Sequence, residues 1–252
     1  MKLVVISMFR EGFGGGTGRV AHDMAKQFSA QHEVVLVCPA DRTRLVETEY
    51  GYHQFGVQSA GHGHACVPRL SRRNVNALFD FMDGFDPDLV HAHEPVSLSL
   101  MGQVWAAMNN VPFVYTSHIL PTKSLEFGAA RVFGFLPDSW TETMSRRMMS
   151  DFMRNCDAVV ALNQPAADDI RQIGYEGTIL TIPNGRDIER LGLCRIADLA
   201  SEPKILTFVG FVSQRKNQRY LVQALEHLPS DYRLEIIGDE LEPESADEIK
   251  RW

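Results

Sequence analysis

Short apolar runs alternate with amphipathic stretches along the whole of this 252-residue chain, and no other feature limits its fold as much. LVVISMF (3–9), HEVVLVCP (32–39) and a weaker HQFGVQS (53–59) read as strands. So do DPDLVHAHEP (86–95), VPFVYTSH (111–118), CDAVVALN (156–163) and GTILTIPNG (177–185). RNVNALFDFMDGF (73–85) and SLSLMGQVWAAMNN (97–110) read as helices between them. β-Branched runs with little polar alternation suit strands buried on both faces, and strands alternating with helices build a parallel, doubly wound sheet. The expected class is therefore α/β. A charged, weakly periodic stretch after Asn184 and Gly185 reads as a connection over 186–203. The pattern then restarts with KILTFVGF (204–211), NQRYLVQALEHL (217–228) and YRLEIIGD (232–239). This divides the chain into a complete doubly wound domain over 1–185 and the first βαβ part of a second over 204–252. Two parallel strands cannot bury both faces of a sheet. The second domain is thus either cut short or packed on another surface.

Charge and cysteine usage exclude several classes. The net charge of −7 argues against a general nucleic-acid binder, which needs a basic surface. Cys38, Cys66, Cys156 and Cys194 form no C-x-x-C, as expected for reduced thiols in a cytoplasmic protein. The first apolar run is too short for a signal peptide, and no window approaches the ~20 apolar residues of a membrane span. The expectation is a soluble protein, at most peripheral to a membrane.

Three consecutive glycines, Gly14, Gly15 and Gly16, follow the first strand and precede a helix with Val20, Met24, Ala25 and Phe28 on one face. They lie at the carboxyl edge of the sheet, where open α/β folds bind ligands. Glycine there permits positive φ and removes the Cβ that would hold a ligand off. G-x-G-x-x-G is not met, because Arg19 occupies the third glycine position, and no Gly-Lys-Ser/Thr follows. The loop points to a ligand near the backbone without specifying a dinucleotide; a tight turn without ligand is the plainer alternative.

Three further strand ends carry polar residues: HAHEP (91–95), TSH (116–118) and GFVSQRKN (210–217). Arg215 and Lys216 stand just ahead of a helix N-terminus, so their cations and the backbone N–H groups suit one anionic ligand, such as a diphosphate. A solvated basic corner is the alternative. His118 at a strand end can offer one nitrogen to a ligand while a neighbour holds the other, or can be structural. His91 and His93 share a face, but only Glu94 lies near as a third metal ligand, and no metal site is expected. The HGH at 62–64 reads as surface. LEFGAARVFGFLP (125–137) is rich in Phe, and Trp140, Met144, Met148 and Phe152 recur at steps of four with Arg146, Arg147 and Arg154 interleaved. That helix either packs on the core or offers an apolar face to a lipid with arginines toward anionic headgroups.

Taken together, the GGG loop, DPDLVHAHEP, YTSH, CDAVVALNQPAADDIRQIG, TIPNGRD, TFVGFVSQRKNQRYLVQAL and YRLEIIGD resemble the family 4 retaining glycosyltransferases of GT-B fold. These pair two Rossmann-like domains around a substrate cleft. HEP, TSH and the Phe-rich stretch are most similar to members that glycosylate lipids, such as phosphatidylinositol mannosyltransferases and diacylglycerol glucosyltransferases. The resemblance implies sugar transfer from a nucleotide-diphosphate sugar to a sugar or lipid acceptor, with retention and without metal or resident cofactor. It implies a cytoplasmic protein with a peripheral contact at the inner face of the membrane. Gly15 and Gly16 would bring amides to the diphosphate and acceptor, and His118 would meet the transferred sugar. Lys216 would stabilise the leaving diphosphate, with Arg215, Glu94 and Asn184 completing donor and substrate binding and Asn184-Gly185 at a hinge.

Two departures stand against the family pattern. Phe211 occupies the position where the family commonly has an arginine, so Arg215 would have to act from a different place. After Asp239 the sequence, ELEPESADEIKRW, is acidic and does not read as the family's segment that holds the donor sugar. A non-catalytic short form working with a partner is the second reading. An NAD-dependent oxidoreductase is disfavoured by the broken glycine fingerprint.

Overall fold

The computed structural model describes residues 1–61, 66–122, 138–185 and 203–240, with Glu244, Asp247 and Ile249. The HGH at 62–64, the Phe-rich stretch and nearly all of the 186–203 connection lie outside these. Two compact units, Met1–Arg186 and Asp187–Trp252, make up the chain.

In the first unit the elements run β1 (Lys2–Ile6), α1 (Gly15–Ser29), β2 (Glu33–Ala40), β3 (Arg44–Glu47), β4 (His53–Ala60), β5 (Val67–Pro68) and α2 (Arg72–Phe85). They continue with β6 (Leu89–Ala92), α3 (Ser97–Asn109), β7 (Phe113–Ser117), α4 (Asp138–Arg154), β8 (Ala158–Ala161), α5 (Gln164–Gln172) and β9 (Ile179–Thr181). The strand order is β3-β4-β2-β1-β6-β7-β8-β9, with β5 on β4. All pairs are parallel except β3 and β5, each antiparallel to β4. Neither antiparallel strand is expected from the sequence. All four residues of β3 are exposed at the sheet's edge, so no apolar run marks it.

The chain steps one way from β1 to β2 and β4, and the other way from β6 to β9. Right-handed crossovers then place the helices on opposite faces. Ala21 and Ala25 of α1 pack on Leu3, Val5, Val34, Leu36 and Cys38. On the other face α2 (Leu78, Met82), α3 (Leu98, Trp105), α4 (Phe152, Met153) and α5 (Ala167, Ile170) cover Val4, Ile6, Val37, Val90, Phe113, Tyr115 and Val159. Each large aliphatic side chain buried this way contributes about 1.5–3 kcal/mol. The reversal of direction falls between β1 and β6, the switch point at which such sheets open a crevice.

One helix face differs from expectation, and another divides between the two readings of its stripe. α1 buries Gly18, Ala21, His22 and Ala25 while Phe28 is 40% exposed; a strip of small residues lets the helix lie close to the sheet. In α4 Phe152 is buried, but Met144 and Met148 are 41% and 61% exposed. A step of four overshoots the 3.6-residue turn by about 40°, so the stripe walks off the core face. No helix among the described residues is long and apolar enough to cross a membrane.

The second unit holds β10 (Lys204–Val209), a 3-10 turn (Gln214–Lys216), α6 (Gln218–Leu225) and β11 (Tyr232–Ile237). The two strands pair in parallel. Ile205, Val209 and Ile237 are 52%, 73% and 52% exposed.

Candidate functional site

At the switch point the carboxyl ends of β1 and β6 are tied together. The His93 N–H donates to the Ile6 carbonyl at 3.1 Å, extending the pairing. The Glu94 carboxylate accepts from the Met8 N–H at 2.8 Å and from the Ser7 hydroxyl at 3.5 Å. Ser7 Oγ accepts in turn from the Phe9 N–H at 3.1 Å. The Phe9 carbonyl accepts from Nε2 of His22 at 3.2 Å, which leaves His22 Nδ1 to accept from the Tyr52 hydroxyl at 3.3 Å. Burial holds His22 below its ordinary pKa, consistent with this neutral form.

The glycine loop rests on Phe9. Gly14 is the N-cap of α1 with φ 79°, in the left-handed region that glycine tolerates. A Cβ there would stand 2.1 Å from Cγ of Phe9, and one at Gly18 would stand 2.1 Å from the Phe13 carbonyl. Gly15 and Gly16 open the helix, which starts without a side-chain cap. A Cβ at Gly16 would meet nothing within 4 Å, and the residue is exposed.

Next to this floor three imidazoles cluster. Strand periodicity puts His91 and His93 on the face covered by α1. Their rings lie 4.9 Å apart at 16°, and His118, just past β7, lies edge to edge with His93, centroids 5.1 Å apart and planes within 16°. His91 Nε2 pairs with Thr116 Oγ1 at 2.7 Å, and His93 Nδ1 pairs with His118 Nε2 at 2.8 Å. Burial brings His91 down to about 4, with repulsion from His118 adding to it, and burial alone brings His118 to about 4. Burial, then His91, His118 and His22, hold His93 well below its ordinary value. All three are neutral at pH 7. Burial raises Glu94 to about 7 against the opposing Met8 and Ser7 hydrogen bonds. Among the described residues no group of three or more His, Cys, Asp or Glu side chains is arranged to hold a metal ion.

The sequence candidates separate into sets. Gly15, Gly16, Glu94 and His118 follow the carboxyl ends of the neighbouring strands β1, β6 and β7. Asn184 is exposed beyond the edge strand β9, with β8 between it and β7. Lys216 and Arg215 belong to the 3-10 turn of the second unit, where Lys216 is exposed. That loop is pinned by buried Gln218, which donates to the Phe211 carbonyl at 2.7 Å and accepts from the Ser213 N–H at 3.3 Å. His22, Ser7, Tyr52 and Gln218 hold these loops by hydrogen bonds and are missed by pattern reading. The one available signal is the spacing of His22 four residues after Gly18, which an apolar count ignores.

The family described as Glycosyltransferase Family 4 matches residues 14–190, well over half of the chain. The D-inositol 3-phosphate glycosyltransferase of Xylanimonas cellulosilytica is 29% identical over 165 residues, 60% of this chain and 38% of that protein. Sucrose-phosphate synthase from Thermosynechococcus elongatus superposes with a TM-score of 0.71 at 17% identity, over 100% of this chain and 66% of that one. UDP-GlcNAc 2-epimerase from Neisseria meningitidis bound to UDP-GlcNAc gives 0.57 at 13% identity, over 100% and 68%. The likenesses show an α/β fold of GT-B type. The chain spans 38% of the length of the inositol-phosphate enzyme.

Proposed function

Because the chain belongs to glycosyltransferase family 4, we propose that it serves in moving a sugar from a nucleotide-diphosphate sugar to an acceptor hydroxyl, with retention at the anomeric carbon. The observation that carries this reading is the pairing of a neutral, partly buried His118 with a backbone floor at the β1–β6 switch point, inside the matched segment. In this reading the bond from the anomeric carbon to the diphosphate breaks, a bond to the acceptor oxygen forms, and the acceptor's proton passes to the leaving diphosphate oxygen. Gly15 and Gly16 offer amides to diphosphate and acceptor, and His118 meets the transferred sugar. Glu94 holds the floor, and Asn184 takes a substrate-binding part. Lys216, with Arg215, stabilises charge on the leaving diphosphate, the electrostatic contribution that commonly dominates catalysis.

The donor is a co-substrate, and the reading invokes no metal or resident cofactor. A lipid acceptor, with the protein cytoplasmic and resting on the inner face of a membrane, is the finer proposal. Exposed Met144 and Met148 beside Arg147, itself 84% exposed, support that contact.

The test uses the full-length protein. His118→Ala should lower kcat at least roughly 100-fold, the scale of a lost acid–base or oxyanion-type group, with an unchanged circular dichroism spectrum. Near-normal turnover overturns the role of His118. Lys216→Ala should weaken nucleotide-diphosphate binding about tenfold or more, as loss of a charge-assisted contact does. The configuration of the product decides retention.

A further inference from the structure

The geometry points to His93 as a positioning residue: its buried Nδ1–H donates to Nε2 of His118 and fixes the His118 tautomer that carries its proton on Nδ1. The inference rests on the proposed role of His118, and gives that role a direction. A neutral imidazole has one N–H and one lone pair, so the contact at 2.8 Å has two arrangements. If His118 donates from Nε2, His93 must carry its own proton on Nε2. That nitrogen is buried and has no hydrogen-bond partner among the described residues, on a side chain only 1% exposed. A buried N–H without an acceptor is rare in folded proteins, rarer than an acceptor left with a spare lone pair. If His93 donates from Nδ1, its Nε2 keeps only a lone pair and no N–H is orphaned. The second arrangement is the one the burial favours.

The stack supports it. His91 lies flat against His93 at 4.9 Å and spends its Nε2 on Thr116, so it offers no competing in-plane partner. His93 has His91 against its ring and His118 at its Nδ1 edge, in nearly the same plane. With Nε2 occupied, His118 has only Nδ1 left for a ligand, and that nitrogen bears the proton. His118 therefore gives a hydrogen bond to a sugar oxygen rather than drawing a proton from the acceptor.

The experiment is long-range proton–nitrogen NMR of the 252-residue chain with 15N-labelled histidine at pH 7. The wild type should show His118 with a protonated-type Nδ1 and a bare Nε2. His93→Asn, whose amide N–H replaces Nδ1–H, should keep that pattern. His93→Phe should shift His118 toward Nε2–H, the form a free histidine side chain favours. A protonated Nε2 in the wild type, or an unchanged Nδ1–H in His93→Phe, overturns the inference. If His93→Phe does not fold, the wild type and His93→Asn still decide it. No sugar transfer enters the measurement, so it stands or falls separately from the glycosyltransferase reading.

Discussion

Glu94 and the clustered histidines pull the acid stability of the fold in opposite directions. Glu94 has a folded pKa of about 7 against an ordinary 4.5, so its contribution is complete below about 4.5 and is lost as pH rises toward 7. His91 and His118 drop from 6.5 to about 4; their contribution is complete above 6.5 and is lost as pH falls toward 4. Each shift is worth up to about 3 kcal/mol. Between pH 6.5 and 4.5 the histidines outnumber the glutamate, and the protein should lose stability on acidification. Glu94→Gln removes the opposing contribution and should steepen that loss, as urea midpoints at pH 7.5, 6 and 5 will report. An unchanged slope would return Glu94 to an ordinary solvated carboxylate. At this scale the sequence is half transparent. His118 and Glu94 stand out because polar residues end apolar strands, whereas Ser7 and His22 act through hydrogen bonds that leave no periodic trace.

Short polar side chains cap two of the helices. The Ser71 side chain accepts from the Asn74 N–H at the start of α2, and Asn163 accepts from the Ala166 N–H at the start of α5. Both follow from the preference for short polar acceptors at that position. Ser71→Ala should cost about 1 kcal/mol of unfolding free energy, read from denaturant titration; no loss would show that the cap is idle. The buried parallel strands are legible as continuous apolar runs. Strand β3 is not, since it is paired on one side only and exposed. The outward turn of Met144 and Met148 is hidden in the arithmetic of a four-residue step, which a reading of apolar positions takes as one face.

Over the whole molecule the two units differ in how well their sheets are covered. The first unit buries both faces of its central strands, while no residue of β10 or β11 is fully buried. Local opening free energy follows burial. Amides of β10 and β11 should therefore exchange faster than those of β1 and β2 by at least about two orders of magnitude, as hydrogen-exchange mass spectrometry of the 252-residue chain will measure. Equal protection would mean that another surface covers the small sheet. The α/β class is legible from alternation alone; the covering of each sheet is not, because it depends on what packs from elsewhere. The tie between Met8 and Glu94 crosses 86 positions of sequence, and closing so long a loop comes late in folding. On the ribosome, the glycine loop emerges well before the carboxylate that ties Met8 down. A nascent chain halted before Glu94 has made every glycine of the loop and Phe9 beneath it, and still lacks that tie.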